Sequence, residues 1–321
     1  MAQPRIVVAG RIPDAGLDVL RSHGNVWGWK HDEPIEINEL YERIAGADAV
    51  LTLLTTKVDG AFIDAAGPQL KVVSNVAVGY NNIDVAECRK HGVIATNTPG
   101  VLTDATADIA MALILMVTRR LGEGERIVRS GKPWQWGMFM LLGTGLQGRR
   151  LGIVGMGAIG QALARRAKAF GMTVSYSNRR AVSPDIESEL NAERLNLDEM
   201  LATSDVVSIN CPYSTETHHL IGPEQFEVMR SSAYLVNTAR GPIVDEAALV
   251  KALRTGEIAG AGLDVYEHEP QLAAGLVEFE NAVLIPHLGS ATVETRAAMA
   301  TLAARNTVAV LSGQPALTPV T

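Results

Sequence analysis

The segment Gly155–Gly160 constrains the fold more than any other, because its glycines follow the order G-x-G-x-x-G. An apolar strand pattern, Leu151–Val154, precedes it, and a helical pattern, Ala158–Phe170, follows it. A strand, a glycine turn and a helix in this order can hold a pyrophosphate at the positive end of the helix. The glycine pattern alone is weak evidence, but here its surroundings match. The chain is therefore predicted to bind a dinucleotide at this loop.

The rest of the chain alternates short apolar runs with helical patterns, which predicts parallel β-α-β units. One series begins at Ile6–Ala9 and a second at Leu151–Val154, and 321 residues suit two domains. We expect an α/β fold of two doubly wound domains, Rossmann-like or flavodoxin-like, with a ligand cleft between them. The predicted substrate domain is 1–100, completed by 288–321, and the predicted dinucleotide-binding domain is 101–287.

Charge and cysteine content argue against several kinds of partner. The formal net charge is −7, whereas a nucleic-acid site needs a basic surface. Cys88 and Cys211 are the only cysteines and lie far apart, so neither a disulfide framework nor a metal site is predicted. The N-terminus lacks a signal-peptide layout, and the apolar stretch Ala105–Thr118 is too short to cross a bilayer. We expect a cytoplasmic protein that contacts no membrane.

The segment Thr103–Arg120 predicts a long helix that is apolar on more than one face. Such a helix is usually buried between domains or in a subunit interface. Of these two, we expect the interface, and therefore a homodimer formed through the 103–120 region.

The end of the strand after the glycine loop decides which nicotinamide cofactor fits. An NAD site usually places a carboxylate there for the ribose 2′-hydroxyl. This chain instead has Ser177, Asn178, Arg179 and Arg180. An arginine can pair with a 2′-phosphate, and Ser177 and Asn178 can add neutral hydrogen bonds. We expect NADP(H) to be preferred and NAD(H) to remain possible, with Arg179 a firmer candidate than Arg180.

Five segments together resemble the D-isomer-specific 2-hydroxyacid dehydrogenases, and among these the glyoxylate/hydroxypyruvate reductases. The segments are Val78–Asp84, the glycine loop Gly155–Gly160, Val236–Gly241, Gly262–Pro270 and Ile285–Thr292. Several motifs in the right order are far more specific than any one of them. The resemblance covers nearly the whole chain and implies three catalytic residues: Arg240, Glu269 and His287.

These residue types suit the reduction of a 2-keto acid to the D-2-hydroxy acid. Arg240 can hold the carboxylate and polarise the carbonyl oxygen. Hydride from the nicotinamide reaches the keto carbon, and His287 can supply the proton because an imidazole titrates near neutral pH. Glu269, hydrogen-bonded to the other ring nitrogen, would orient the ring and favour its charged form.

The resemblance also implies binding residues. The backbone N–H groups of Val78 and Gly79, together with Arg240, would bind the substrate carboxylate. The adenosine would lie beside Cys211–Pro212 and Thr217, and the carboxamide beside Asp264. The full set of implied cofactor contacts is Thr106, Gly155, Gly157, Ala158, Ile159, Gly160, Ser177, Asn178, Arg179, Arg180, Cys211, Pro212, Thr217, Thr238, Ala239, Arg240, Asp264, His287, Gly289 and Ser290.

Two positions in the predicted substrate domain limit which keto acids are expected as substrates. Phosphoglycerate dehydrogenases of this family usually carry arginines where this chain has Leu53 and Asn75. Without those cations a phosphorylated substrate is disfavoured, and Leu53 is expected to line a site for glyoxylate or hydroxypyruvate. The resemblance further suggests that Trp134 or Trp136 contacts substrate, in some family members from the neighbouring subunit. Packing within the chain explains these two rings equally well.

Two alternatives remain open. The substrate could be 2-ketogluconate or that of another D-2-hydroxyacid dehydrogenase. The chain could instead be a nucleotide-sensing binding protein, as the corepressor relatives of this fold illustrate, although the intact Arg240, Glu269 and His287 argue against pure sensing.

Three further histidines are given no catalytic role. His218 and His219 are neighbours without a nearby third ligand, so we expect a loop over the cofactor rather than a metal site. His268, next to Glu269, is expected to be an exposed loop residue.

Overall fold

The computed structural model describes residues 3–321. They divide into two compact units, one made of the chain up to Leu102 with Ser290–Thr321, the other of Thr103–Gly289. The boundaries predicted from the sequence, after residue 100 and before residue 288, lie two residues before these two divisions. Each unit is built on its own parallel sheet, so the predicted α/β class with two doubly wound sheets is confirmed.

The strands and helices of residues 3–321 alternate along most of the chain. The strands are β1 (Arg5–Val8), β2 (Asn25–Gly28), β3 (Ala49–Thr52), β4 (Val72–Asn75), β5 (Ile94–Thr96), β6 (Arg150–Val154), β7 (Thr173–Ser177), β8 (Ala192–Arg194), β9 (Val206–Ile209), β10 (Tyr234–Asn237), β11 (Gly260–Leu263) and β12 (Ala282–Leu284). The helices are α1 (Asp14–Arg21), α2 (Ile37–Ile44), α3 (Gly60–Ala66), α4 (Val85–Lys90), α5 (Thr103–Thr118), α6 (Leu121–Arg129), α7 (Ala158–Ala169), α8 (Pro184–Leu190), α9 (Leu197–Thr203), α10 (Pro223–Val228), α11 (Glu246–Thr255) and α12 (Val293–Leu311).

The first unit has the strand order β2-β1-β3-β4-β5, a flavodoxin-like arrangement. Its central strands are apolar on both faces because helices cover both sides, and Val7, Val50 and Val73 are fully buried. Strands β3 and β4 lie side by side, with Thr52 paired to Asn75. The segments that follow these two strands therefore emerge at the same edge of the sheet.

The second unit has the strand order β12-β11-β10-β9-β6-β7-β8. The chain starts in the middle at β6, moves outward through β7 to β8, and returns across the sheet to β9. The point where the order reverses lies between β6 and β9, which are hydrogen-bonded neighbours. In open α/β sheets the crevice beyond the carboxyl ends of two such strands is where ligands bind.

Helix α5 is covered largely within its own unit. It packs against α7 on one side and against β10, β11 and β12 on the other. A Cβ on Gly262 of β11 would lie 3.1 Å from the Cβ of Leu113, so the helix approaches the sheet closely at this glycine. Contacts within the unit therefore explain why α5 is apolar on more than one face, and no second subunit is needed. No helix of the described residues combines the length and apolarity needed to cross a membrane.

Several short elements carry little signal in the sequence. They are β2, β8, α2, α4, α6 and α8. Strands β2 and β8 lie at sheet edges, where only one neighbour pairs with the strand and burial is partial. The four helices span only six to nine residues, so an apolar period has little room to show itself.

Candidate active site

The glycine loop is closed on its inner side and open on its outer side. Gly155 follows β6 with φ of +98°, and a Cβ there would lie 2.4 Å from the backbone nitrogen of Cys211, just after β9. A Cβ on Gly160 would lie 2.5 Å from the Gly155 oxygen. Around the Cβ position of Gly157 nothing lies within 4 Å. Two glycines therefore permit close packing, and the third leaves room for a ligand.

The first turn of α7 faces that open space. Gly157 is the N-cap, and no side chain caps the helix. The first N–H groups of a helix have no partner within the helix, and its dipole makes this end positive. Gly157 and Ala158 are exposed, and Ile159 is partly so. This arrangement fits the pyrophosphate of a dinucleotide.

The segment after β7 braces the glycine loop. The Gly155 N–H donates to Ser177 O at 3.1 Å, and the Met156 N–H donates to Asn178 Oδ1 at 2.7 Å. Arg194 on β8 donates to the carbonyl oxygens of Asn178 and Arg179 at 3.0 and 3.2 Å. Arg194 was not predicted as a site residue, because it lies fifteen positions beyond Arg179, on the edge strand β8.

Arg179 and Arg180 themselves are exposed. The Arg179 charge acts on the Cys211 thiol across the switch point, where burial raises the thiol pKa to about 11 and Arg179 opposes the rise. Arg179 thus lies toward β9, beside the glycine loop.

Two buried polar atoms near the ends of β9 and β10 make no hydrogen bond in residues 3–321. They are Asn210 Oδ1 and Thr238 Oγ1. Buried polar atoms are nearly always hydrogen-bonded in folded proteins. Atoms of this kind beside the switch point suit a bound polar ligand.

The other implied cofactor residues are held in different ways. Thr217 Oγ1 donates to Pro212 O at 3.0 Å, so it closes its own loop. Thr106 is buried in the first turn of α5, where its methyl lies 3.4 Å from a Cβ built on Gly289. Ala239 is partly buried in the turn after β10, and Ser290 begins the return to the first unit.

Arg240 is placed by a tight turn after β10. The Asn237 side chain accepts from the Ala239 N–H at 3.0 Å and donates to Arg240 O at 2.9 Å. At Gly241, the next residue, a Cβ would lie 1.8 Å from the carbonyl carbon of Tyr266. Only glycine lets the segment that leads to Glu269 run so close to this turn. Burial lowers the pKa of Arg240, and the Glu269 charge opposes that shift; the guanidinium stays charged.

Glu269 and His287 form a hydrogen-bonded pair. His287 Nδ1 lies 2.9 Å from Glu269 Oε2, and the Tyr266 N–H donates to the other carboxylate oxygen at 3.0 Å. Burial raises the pKa of the Glu269 carboxyl, but the hydrogen bond and charge of His287, the Tyr266 N–H and the Arg240 charge together outweigh burial, so the pKa lies below its ordinary value. The carboxylate is therefore ionised at neutral pH. With Nδ1 directed at it, Nε2 is left to face a ligand.

Asp264 holds the loop that carries His287. Its backbone oxygen accepts from the His287 N–H at 2.9 Å, and its carboxylate accepts from Leu288 at 2.5 Å and Gly289 at 2.8 Å. His287 has φ of +54°, a region that residues other than glycine rarely adopt, so the loop needs such support. The contact of Asp264 with a carboxamide stays a prediction; its carboxylate in this chain holds the loop.

A second buried carboxylate braces the segment that carries Glu269. Glu246 accepts from the Glu267 N–H at 2.7 Å and from the Ala273 N–H at 3.2 Å. Glu267 in turn lies 2.7 Å from His219 Nε2. Glu246 and Glu267 were not predicted as site residues, and His219 was expected only in a loop over the cofactor, because the three meet only in the folded chain. The one available signal was the acidic pair Asp245–Glu246, which forms the N-cap and the first residue of α11.

The remaining histidines do not form a metal centre. His219 is stacked on His218 with ring centroids 4.0 Å apart, and His268 is exposed, as expected for a loop residue. Among residues 3–321 no group of three or more histidine, cysteine or carboxylate side chains could hold a metal ion.

The implied substrate residues of the first unit share one sheet edge. Leu53 follows β3, and Val78 and Gly79 follow β4. In the other unit the rings of Trp134 and Trp136 are 55% and 74% exposed. Packing in the core of this chain therefore does not account for the two tryptophans.

Comparison with known proteins places this chain. The NAD binding domain of the D-isomer specific 2-hydroxyacid dehydrogenases matches residues 111–289. Glyoxylate reductases from Thermococcus onnurineus and Korarchaeum cryptofilum are 48% and 47% identical, each over 97% of this chain and 94% of the relative. The chain belongs to the D-isomer specific 2-hydroxyacid dehydrogenases. The resemblance stated from the sequence is confirmed.

Solved structures agree with this family. A glyoxylate reductase from Paecilomyes thermophila is 34% identical with a TM-score of 0.89, covering 100% of this chain and 99% of its own. The NADPH-dependent glyoxylate/hydroxypyruvate reductase of Sinorhizobium meliloti, solved with NADP and malonate, is 34% identical with a TM-score of 0.88, covering 99% and 97%. Together with the open glycine loop, this family supports a nicotinamide dinucleotide site in the second unit.

Two alanine substitutions in the glycine loop should separate folding from binding in this dehydrogenase. Gly157→Ala adds a methyl in open space, so the melting temperature should stay near that of the wild type while dinucleotide affinity falls by about tenfold or more. Gly155→Ala forces a strained φ and a clash with Cys211, and should lower stability by about 1 kcal/mol or more. Calorimetry and dinucleotide titration measure both. Unchanged affinity in Gly157→Ala would show that the pyrophosphate lies elsewhere.

Proposed function

We propose that this dehydrogenase reduces glyoxylate and hydroxypyruvate, small unphosphorylated 2-keto acids, to D-2-hydroxy acids with NADPH. The observation that carries the proposal is the 2.9 Å hydrogen bond between His287 and an ionised Glu269, close to the charge of Arg240. A proton donor and a carboxylate-binding cation are what such a reduction needs from a protein. The names of the similar glyoxylate reductases agree with this choice of substrate.

In the proposed reaction Arg240 binds the substrate carboxylate and polarises the keto oxygen. The nicotinamide, when bound, supplies the hydride. His287 then donates its Nε2 proton to the oxygen as negative charge develops there, while Glu269 holds the ring in place through Nδ1. The His287 side chain is 30% exposed, so the ring regains a proton from solvent between turnovers.

The residues at the carboxyl ends of β3 and β4 indicate the expected size and charge of the substrate. Leu53 brings no charge to it, and Asn75 is fully buried with its amide occupied by Thr52 and Gly79. A phosphate group would need a cation at this edge. We therefore favour a keto acid with a short uncharged tail, with 2-ketogluconate as the competing substrate.

A kinetic panel tests the proposal. Glyoxylate, hydroxypyruvate, 2-ketogluconate and phosphohydroxypyruvate are each assayed with NADPH, and glyoxylate or hydroxypyruvate should give the highest kcat/KM, about tenfold or more above the phosphorylated acid. His287→Asn should lower kcat by about 10²–10⁴-fold and keep NADPH affinity, because only proton transfer is lost. Absence of turnover with all four acids would overturn the enzyme function and favour a sensing role. Unchanged turnover in His287→Asn would place the proton donor elsewhere.

We further propose that NADP(H) is preferred over NAD(H). No carboxylate stands at the end of β7 to repel a 2′-phosphate. Arg194 fixes the backbone of Asn178 and Arg179 from behind, which leaves the exposed guanidinium of Arg179 at the rim of the glycine loop. Asn178 is engaged with Met156, so the cation rather than the amide is the proposed phosphate ligand.

Arg179→Ala and Arg180→Ala form a matched pair for this preference. Arg179→Ala should raise KM for NADPH by about tenfold and leave KM for NADH within about twofold, because only the 2′-phosphate contact is removed. Arg180→Ala, one position further from the glycine loop, should change both values little. Equal effects of Arg179→Ala on the two cofactors, measured from initial rates, would refute the assignment.

A homodimer is proposed as well. Because α5 is covered within its unit, the proposed contact is the segment 121–142 rather than 103–120, since apolar side chains are exposed there. They include Val128 at 62%, Trp136 at 74% and Phe139 at 85%. Apolar groups concentrated in this way are typical of a protein contact surface. A second copy bound there would bring a tryptophan toward the neighbouring subunit, as the resemblance suggests.

A further inference from the structure

The loop after β4 is held through its carbonyl groups. In the segment Ala77–Gly79 three successive peptide oxygens each accept a hydrogen bond. The first accepts from the backbone N–H of Thr98 at 2.8 Å, the second from the side-chain amide of Asn97 at 2.7 Å, and the third from the side-chain amide of Asn75 at 2.9 Å. All three donors belong to the same unit as the loop.

Fixing these oxygens also fixes the N–H groups of the same peptides. In a trans peptide the C=O and N–H bonds point in opposite directions, and no peptide of this loop is cis. The N–H groups of Val78, Gly79 and Tyr80 are therefore directed away from the three donors. No backbone carbonyl of residues 3–321 accepts from Val78 or Gly79. Successive N–H groups held in this manner form an anion-binding concavity.

The Asn75 amide has only one orientation that satisfies its surroundings. Its Oδ1 accepts from the Thr52 hydroxyl at 3.0 Å, so its Nδ2 is the atom that faces Gly79 O. The neighbouring amide of Asn82 lies 3.3 Å from the same Oδ1 and donates to the carbonyl oxygens of Leu53 and Thr56. Asn75 is fully buried, so water does not replace these partners.

Asn97, just after β5, is anchored through its backbone to Thr318. Its backbone N–H donates to Thr318 O at 3.2 Å, and its backbone oxygen accepts from the Thr318 hydroxyl at 2.6 Å. These two bonds fix the backbone from which the side-chain amide reaches Val78 O. The side chain is almost completely buried.

We propose that Asn75 and Asn97 are positioning residues for the substrate carboxylate. By holding the carbonyl side of the loop, the Asn97 amide fixes the peptide that carries the Gly79 N–H, and the Asn75 amide fixes the next peptide, which carries the Tyr80 N–H. The two amides thereby keep these successive N–H groups aimed at the anion. The inference rests on the proposed function in one respect, that the carboxylate of the keto acid binds at this loop. The sequence showed only that Asn75 stands where some relatives carry an arginine. The inference gives the Asn75 side chain a role of its own in substrate binding.

Loss of either amide should weaken substrate binding selectively. Asn75→Asp keeps the shape and the acceptor for Thr52, but it turns an acceptor toward Gly79 O, and Asn97→Ala removes the donor to Val78 O. In each variant KM for glyoxylate should rise by about tenfold, because hydrogen bonds to a charged group are lost. The inhibition constant of oxamate, an unreactive carboxylate analogue, should rise by the same factor. KM for NADPH and kcat at saturation should stay within about twofold.

Gln69→Ala provides the matched control. The Gln69 amide also donates to two backbone oxygens of the same unit, Ala66 O at 2.6 Å and Ala47 O at 3.2 Å, away from the loop after β4. It should lower the melting temperature without changing KM for glyoxylate. If Asn75→Asp and Asn97→Ala behave in the same way as Gln69→Ala, the amides only stabilise the fold and the inference is wrong.

Wild-type turnover of glyoxylate in the same assay reports separately on the proposed function. Were the wild type inactive, equilibrium binding of oxamate to the NADPH-bound protein would replace KM as the readout. Weaker oxamate binding by Asn97→Ala than by the wild type would support the two amides, and equal binding would overturn them.

Discussion

The hydrogen bond between Glu269 and His287 is the interaction on which the proposed chemistry depends, and two buried carboxylates hold its partners in place. Asp264 binds the N–H groups of the loop that carries His287, and Glu246 binds those of the segment that carries Glu269. Burial raises the pKa of both carboxyls, and the N–H donors oppose the rise. The buried carboxylates of Asp264 and Glu246 hold the backbone on both sides of the pair. The His287 imidazole itself stays partly open to substrate and solvent.

The two units resemble each other in how their proposed anion sites are built. Each is a doubly wound parallel sheet whose functional loops follow the carboxyl ends of neighbouring strands. In the second unit the open N-terminus of α7 faces the space beside Gly157, and Asn178 braces the loop in front of it. In the first unit two other amides hold the peptide groups after β4. In both proposed sites backbone N–H groups face the anion, and side-chain amides hold the backbone that carries them.

The sequence predicted what depends on local order and motif. The glycine loop, the alternation of strands and helices, and the family followed from short segments whose residues contact one another along the chain. Contacts between distant segments could not be predicted in this way. Asn75 was interpreted only as a missing cation. The hydrogen bond from the Thr52 hydroxyl, which turns the Asn75 amide nitrogen toward Gly79 O, depends on the pairing of β3 with β4. Arg194 and Glu246 reach their partners across 15 and 21 positions, respectively, and no periodicity encodes such distances.

The turnover of Glu269→Gln tests the central claim most directly. Because the Glu269 pKa is lowered, its carboxylate is ionised throughout the neutral range and accepts the hydrogen bond from His287 Nδ1. In the proposed reaction this bond holds the ring in the orientation from which Nε2 gives its proton to the substrate. The variant should therefore show kcat for glyoxylate lowered by about tenfold or more at neutral pH, with KM for NADPH within about twofold of the wild type. An unchanged kcat would contradict the account, because the carboxylate would then have no influence on the proton transfer.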